Sequence, residues 1–279
     1  MALSRRTFLA VMAAGLASCS PNSTPAADSS DDLTDPIDGP FGAVSSMAST
    51  AVGTTGVATS GPIAPIALST TIPTTPVVGA PARFLNKGDR SVSAVALTFH
   101  AAGDVGRASR LLDVLKRSGT PVTIFAVGSW IQANPQLTKR MLADGHELAN
   151  HTWSHGAMRT MSASQLDAEI TRAAGALNAA NGSPGRWFRP SQIDVPTEAI
   201  LAAAGRAGYG VSVGYDVDTL DFQDPGAPAV RANAIAGIQP GSIVSLHFDH
   251  ENTIEAMPAI IDHLKSKAWK PVTLAQLLG

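Results

Sequence analysis

Two histidines stand four residues apart in His151-Thr152-Trp153-Ser154-His155. At that spacing two imidazoles can aim their nitrogens at one cation. The run before them, His146-Glu147-Leu148-Ala149-Asn150, reads as a strand, so the pair is expected at a strand's exit, where a sheet can hold a loop rigid. A catalytic metal needs three protein ligands as a rule, and the spacing supplies only two.

The elements that must position this pair alternate along the chain. Val92 to Phe99 reads as a strand, Val105 to Ser118 as a helix closed by Gly119, and Pro121 to Val127 as a second strand. Asn134-Pro135 opens a helix running to Asp144, and His146 to Asn150 is the third strand. Ser162 and Gln165 carry a capping-box signature, followed by Leu166, Ile170, Ala173 and Leu177 at helical spacing. Further strands are expected at Arg186–Pro190, Gly210–Tyr215 and Ser242–Leu246, with helices near Thr197–Ala207, Ala227–Ile238 and Thr253–Lys267. Repeated strand–helix units imply a parallel sheet. If that sheet closes, it is a barrel with function at the C-terminal strand ends.

The chain has 279 residues, is 44% hydrophobic and 15% charged, and carries a net charge of −2. With that balance and no basic patch, nucleic acid is not an expected partner. The N-terminus reads as an export signal. Ser4-Arg5-Arg6-Thr7-Phe8-Leu9 looks like a twin-arginine leader, and the apolar run Phe8 to Ala17 is too short to span a bilayer. Leu16-Ala17-Ser18-Cys19 resembles a bacterial lipobox, with Cys19 as the lipidated residue; as the chain's one cysteine it allows no internal disulfide. Residues 20–82 are rich in Ser, Thr, Pro, Ala and Gly and are expected to be a flexible tether. Residues 83–279 are then one domain.

Five short segments occur in order at the expected strand ends: Ala96-Leu97-Thr98-Phe99-His100-Ala101-Ala102, His151 to His155, Phe188-Arg189-Pro190-Ser191-Gln192-Ile193, Asp218-Thr219-Leu220-Asp221-Phe222, and Leu246-His247-Phe248. Together they resemble the motifs of the polysaccharide deacetylases, the NodB-homology carbohydrate esterases of family 4. The resemblance implies an α/β fold, an irregular (β/α) barrel of parallel strands with the active site at their C-terminal ends. It also implies a metal-dependent hydrolase that removes N-acetyl groups from cell-wall amino-sugar glycans such as peptidoglycan.

The resemblance assigns His151 and His155 to the metal and His247 to the role of acid. Asp221, or alternatively Asp218, supports His247. Arg189 is the residue that tethers the family's base. At two positions the pattern breaks: His100 stands where the family has its base aspartate and Ala101 where it has the metal-binding aspartate. Three replacements for the missing ligand are open: His100 itself, Asp104, and Asp249 or His250. A three-imidazole set would favour zinc, with cobalt or nickel as alternatives. Asp104 is also a good helix N-cap. The expected metal set is therefore His151, His155 and Asp104, and the expected catalytic set is His100, Arg189, Asp221 and His247. Arg189 should lower the pKa of His100 and ion-pair with Asp104. Trp153 and Phe222 are the expected substrate-binding aromatics, with Trp187 a further member of that wall. His146 and His263 read as structural. The alternatives to an N-deacetylase are an impaired glycan-binding surface lipoprotein and an O-acetyl carbohydrate esterase. The expected partners are a wall polysaccharide and, through Cys19, the membrane, with the protein a monomer on the extracytoplasmic face.

Overall fold

The structure, a computed structural model, describes residues 79–279. The leader, Cys19 and residues 20–78 of the expected tether lie outside the described residues. The elements follow in chain order as β1 (Arg83–Leu85), β2 (Ala94–Ala101), α1 (Val105–Ser118), β3 (Thr123–Ala126), α2 (Gly128–Ala133), α3 (Pro135–Ala143), β4 (Glu147–Asn150) and α4 (Ala163–Asn181). Then come α5 (Glu198–Arg206), β5 (Val211–Val213), β6 (Val217–Asp218), α6 (Ala227–Gly237), β7 (Ile243–His247), α7 (Glu251–Ser266), β8 (Lys270–Val272) and α8 (Leu274–Leu278).

Strand β2 is central. It pairs in parallel with β7 on one side and, on the other, with β8 along its first residues and β3 along its last, and the sheet runs β4-β3-β2-β7-β6. Strands β1 and β5 form a second parallel pair. The two sheets join through Phe188, a one-residue bridge to both Asn150 at the end of β4 and Ser212 in β5. Residues 211–218 run from β5 into β6, which pairs with β7, and so complete the ring. The result is an irregular barrel whose parallel strands all end on one rim. The expected strand Arg186–Pro190 shrinks to that single bridge. Residues 79–82, expected as the last of the tether, instead pack on α5: Ala82 is buried, its N–H donates to the Leu201 carbonyl, and that of Gly79 donates to the Gly205 carbonyl.

Alternation along β2 decides which residues reach the interior. Val95, Leu97, Phe99 and Ala101 face outward into the apolar layer under α1 and α7, where they meet Leu111, Leu112, Leu115, Met257 and Ile261. Burying each such leucine or isoleucine contributes on the order of 2 kcal/mol. Ala96, on the other face, joins the barrel interior with Phe125, Ala149, Trp187 and Val213. Thr98 and His100 share that inward parity. Helix α1 starts where the Asp104 side chain accepts from the Arg107 N–H and ends where Gly119 turns left-handed at φ 64°. The Ser162–Gln165 capping box on α4 is present as expected. Helix α7 starts two residues earlier than its expected Thr253 and accommodates Pro258 internally.

Candidate functional site at the C-terminal strand ends

Parallel register brings the chemistry to one rim. His100 in β2 lies opposite His247 at the end of β7, and Asn150, which precedes His151, ends β4. Their rings form a continuous group. His100 is 4.5 Å from His151 and 4.5 Å from His247, centroid to centroid, and His151 is 5.0 Å from His155. A pocket of about 390 Å³ opens on this group. Among its lining residues are His100, His155, Arg189, Asp218, Phe222 and His247.

The loop 151–155 is held from behind by Glu169 of α4. One carboxylate oxygen accepts from the N–H groups of Trp153 at 3.0 Å and Ser154 at 2.8 Å, and the other accepts from the Ser154 hydroxyl at 2.8 Å. From the other side, Gln192 donates to the His155 carbonyl at 2.7 Å and Ser191 to the Gly156 carbonyl at 2.6 Å. Within this loop Thr152 at φ 66° and His155 at φ 60° have left-handed backbone. Gln192, Leu220 and Asp224 also have positive φ, so five of the six such non-glycine residues among those described sit in the site's loops. Strain of that kind collects at functional sites.

Each imidazole has a defined state. His151 donates from Nδ1 to the Arg189 carbonyl at 3.0 Å, leaving a bare Nε2 that is buried and has no partner among the described residues. His247 donates from Nδ1 to Asp221 Oδ1 at 2.7 Å, while Asp221 Oδ2 accepts from the His247 backbone N–H at 2.7 Å and the Thr253 hydroxyl at 2.5 Å. Burial alone would raise the Asp221 pKa, but these donors outweigh it and hold it below the usual carboxylate value. Asp221 is therefore the residue that supports His247. Asp218, the alternative, accepts from the Leu220 N–H and faces the pocket; burial raises its pKa.

Arg189 is buried under the pocket floor. It donates to the carbonyls of Val213 and Gly214, to the Thr98 hydroxyl, and through Nη1 to His100 Nε2 at 2.9 Å. Its guanidinium also lies 4.0 Å from the Phe125 ring centroid. Burial lowers its pKa to about 9. The expected ion pair with Asp104 is not formed, because Asp104 is exposed and capping α1. The lowered pKa of His100 has the expected direction, with burial as its largest cause, then His151, His247 and Arg189. The pKa of His151 is lowered first by burial and then by His155. That of His155 is lowered first by burial and then by His247.

Several expected roles change. An arginine can only donate, so the His100 Nε2 lone pair is taken and Nδ1 carries the proton. In this arrangement His100 is neither a free base nor a free ligand. Asp104 does not join His151 and His155. Asp249, another candidate, accepts from the Asp104 N–H and from Arg107, and His250 bonds Asp224. Ala101 faces the core layer, away from the pocket. Trp153 does not line the pocket: it lies under Arg172, whose guanidinium is 3.7 Å from the ring centroid. Trp187 is buried and donates to Glu147. Phe222 does line the pocket and is 46% exposed, leaving a ring face for ligand. Glu169, which holds the loop, and Tyr215, which lines the pocket, enter the site without having been anticipated. Glu169 lies a helix away from the residues it holds, and its sequence neighbourhood gives no sign of this.

A divalent metal fits this residue set poorly. The bare Nε2 of His151 beside His155 is suited to one. However, among the described residues no three His, Cys, Asp or Glu side chains gather to hold an ion, and the Arg189 cation stands next to the nearest third imidazole.

A sequence profile described as polysaccharide deacetylase matches residues 87–212. The chain therefore carries a polysaccharide deacetylase-like domain. Over 207 residues it is 28% identical to a chitooligosaccharide deacetylase of Bradyrhizobium sp. (strain ANU 289), covering 69% of this chain and 94% of that protein. Among solved structures, a family 4 pseudoenzyme from Bacillus anthracis superposes with TM-score 0.66 at 26% identity, covering 72% of this chain and 70% of that one. A mutant of the same pseudoenzyme is described as having restored enzymatic activity. A peptidoglycan N-acetylglucosamine deacetylase bound to a hydroxamate superposes with TM-score 0.66 at 26% identity, covering 70% of this chain and 92% of that one.

Proposed function

We propose that this chain is a hydrolase of N-acetylglucosamine-containing glycans, with peptidoglycan or chitin-like oligosaccharide as substrate class and acetate as product. The observation that carries this reading is the His247–Asp221 pair opening on the pocket. With Nδ1–H held by the carboxylate, His247 Nε2 is the atom free to move a proton. As water adds to the acetyl carbonyl carbon, Nε2 takes its proton. As the carbon–nitrogen bond breaks, the same proton passes to the amine, and a free amine and acetic acid leave, the acid losing its proton to water to become acetate. Asp221 holds the ring in this tautomer and stabilises the imidazolium that forms.

A second reading, a glycan-binding module without turnover, is favoured by one observation. The position of the family's base is occupied by an imidazole whose lone pair Arg189 engages. Acetate release from N-acetylated chitooligosaccharide, from peptidoglycan and from an O-acetylated glycan, measured with chelator and with added zinc, separates the readings. Release that is lost in His247→Ala supports the hydrolase. Binding without release supports the module, and release from the O-acetylated glycan alone makes the chain an esterase.

We propose in addition that the chain works outside the cytoplasm as a lipoprotein, supported by Arg5-Arg6 and by Cys19 in its lipobox-like setting. Fractionation tests this: Cys19→Ser should release the protein from membranes, and equal partition of both forms would remove the anchor.

A further inference from the structure

A second His–Asp pair stands beside the first. His250 Nδ1 lies 2.8 Å from Asp224 Oδ1, its ring is 5.8 Å from that of His247, and His250 lines the same pocket. The two aspartates are three residues apart, as are the two histidines. Asp221–Gln223 is a 3-10 turn that Asp224 closes, and in that helix residues i and i+3 eclipse one another. The carboxylates at the two ends of this turn meet His247 and His250 respectively.

Three features argue that this second pair is built for a ligand. First, the turn is bracketed by left-handed backbone at Leu220 (φ 55°) and Asp224 (φ 51°), neither of them glycine. Second, His250 occupies the N-cap of α7 but makes no capping bond; at a position suited to Ser, Thr, Asp or Asn, its ring turns instead to Asp224. Third, Asp224 is 68% exposed, and pairs so exposed add little to stability. The local rules are broken with no local gain, which is expected where binding is the gain.

We propose that His250 is a glycan-binding residue and Asp224 its positioning residue. With Nδ1–H held by Asp224, Nε2 is the one nitrogen left to accept a hydrogen bond from a sugar hydroxyl. Phe222, between the two aspartates in sequence and exposed on the same pocket, offers an apolar face beside it. This deepens the glycan reading above and rests on it, whether or not the chain turns its ligand over.

The test is titration calorimetry with N-acetylated chitotetraose, together with acetate-release kinetics, on wild type, His250→Ala, His250→Gln and Asp224→Ala. His250→Ala should raise Kd, and KM with it, by about fivefold, the loss of one neutral hydrogen bond, with kcat little changed. His250→Gln, which keeps an acceptor, should recover part of the affinity. Asp224→Ala, at an exposed position outside the core, should raise Kd by less than His250→Ala does. Unchanged Kd in both alanine variants would overturn the proposal, as would a fall in kcat at constant Kd. If wild type neither binds nor cleaves chitotetraose, the glycan reading fails and this proposal with it. If wild type binds and the variants match it, only this proposal fails.

Discussion

On the β7 side of the pocket, every charge meets a partner. Asp221 accepts from the His247 ring, the His247 backbone and Thr253, and His247 keeps one nitrogen free. On the β2–β4 side, a buried guanidinium meets carbonyls, a hydroxyl, an aromatic face and an imidazole, but no carboxylate hydrogen-bonds to it. The contrast teaches that an imidazole can replace a carboxylate as hydrogen-bond acceptor without replacing it as counter-ion. The β7 side retains what proton transfer needs. The β2–β4 side gathers imidazoles beside a buried cation and gives that cation no hydrogen-bonded anion.

The largest expected effect breaks the comparison from its intact side. His247→Ala should lower acetate release by about 10²–10⁴-fold, the range of lost general acid–base catalysis, while chitotetraose affinity persists. A loss below about tenfold would move proton transfer away from this pair. Next, Ala101→Asp should destabilise the domain by about 3–5 kcal/mol, because the acid would enter the apolar layer under α1 as an unpaired buried charge. Urea denaturation measures this. Normal stability with one equivalent of bound zinc would show that residue 101 reaches the pocket after all.

His100→Asp sharpens the other side. A carboxylate at the inward position would give Arg189 its missing anion, and the expected gain is on the order of 1 kcal/mol. A loss of that size would show that the imidazole already satisfies the guanidinium. The smallest effect is in pH. His146 is buried with no hydrogen-bond partner for either ring nitrogen among the described residues, and burial lowers its pKa. The unfolded chain protonates at about 6.5, so this contribution to stability is complete above that value and is lost as pH falls through the lowered folded pKa. His100 and His151 act with the same sign. His146→Leu should flatten part of the acid slope of the denaturation midpoint, and an unchanged slope would assign it all to the pocket.

Much of this architecture is legible in the residues. Strand–helix alternation and helix caps predict the parallel barrel and its functional rim, because hydrophobic period and capping are local properties. The His151–His155 pair and the His247–Asp221 support also follow from the motif order. What local reading misses depends on direction and distance. Only β2 pairing shows that Ala101 faces outward while His100 faces in. Only the fold shows that Asp104 has its cap to occupy it and that Trp153 lies under Arg172. The short helix α2 escaped because Gly128–Ala133 offers no capping side chain and too few turns for a period. The matched spacing of Asp221 and Asp224 with His247 and His250 was visible as a pattern, but nothing local says that the two series meet.

The Glu169 clamp has a kinetic consequence. Its hydrogen bonds to residues 153 and 154, with those from Ser191 and Gln192 behind residues 155 and 156, order the histidine loop as the chain folds. A glycan arriving at the pocket then meets a surface whose conformational entropy is already lost, and the cost of ordering falls on the sugar alone. Association should therefore be a single step whose observed rate rises linearly with glycan concentration and shows no plateau from loop closure. Affinity differences among related glycans would then lie in how fast each one leaves.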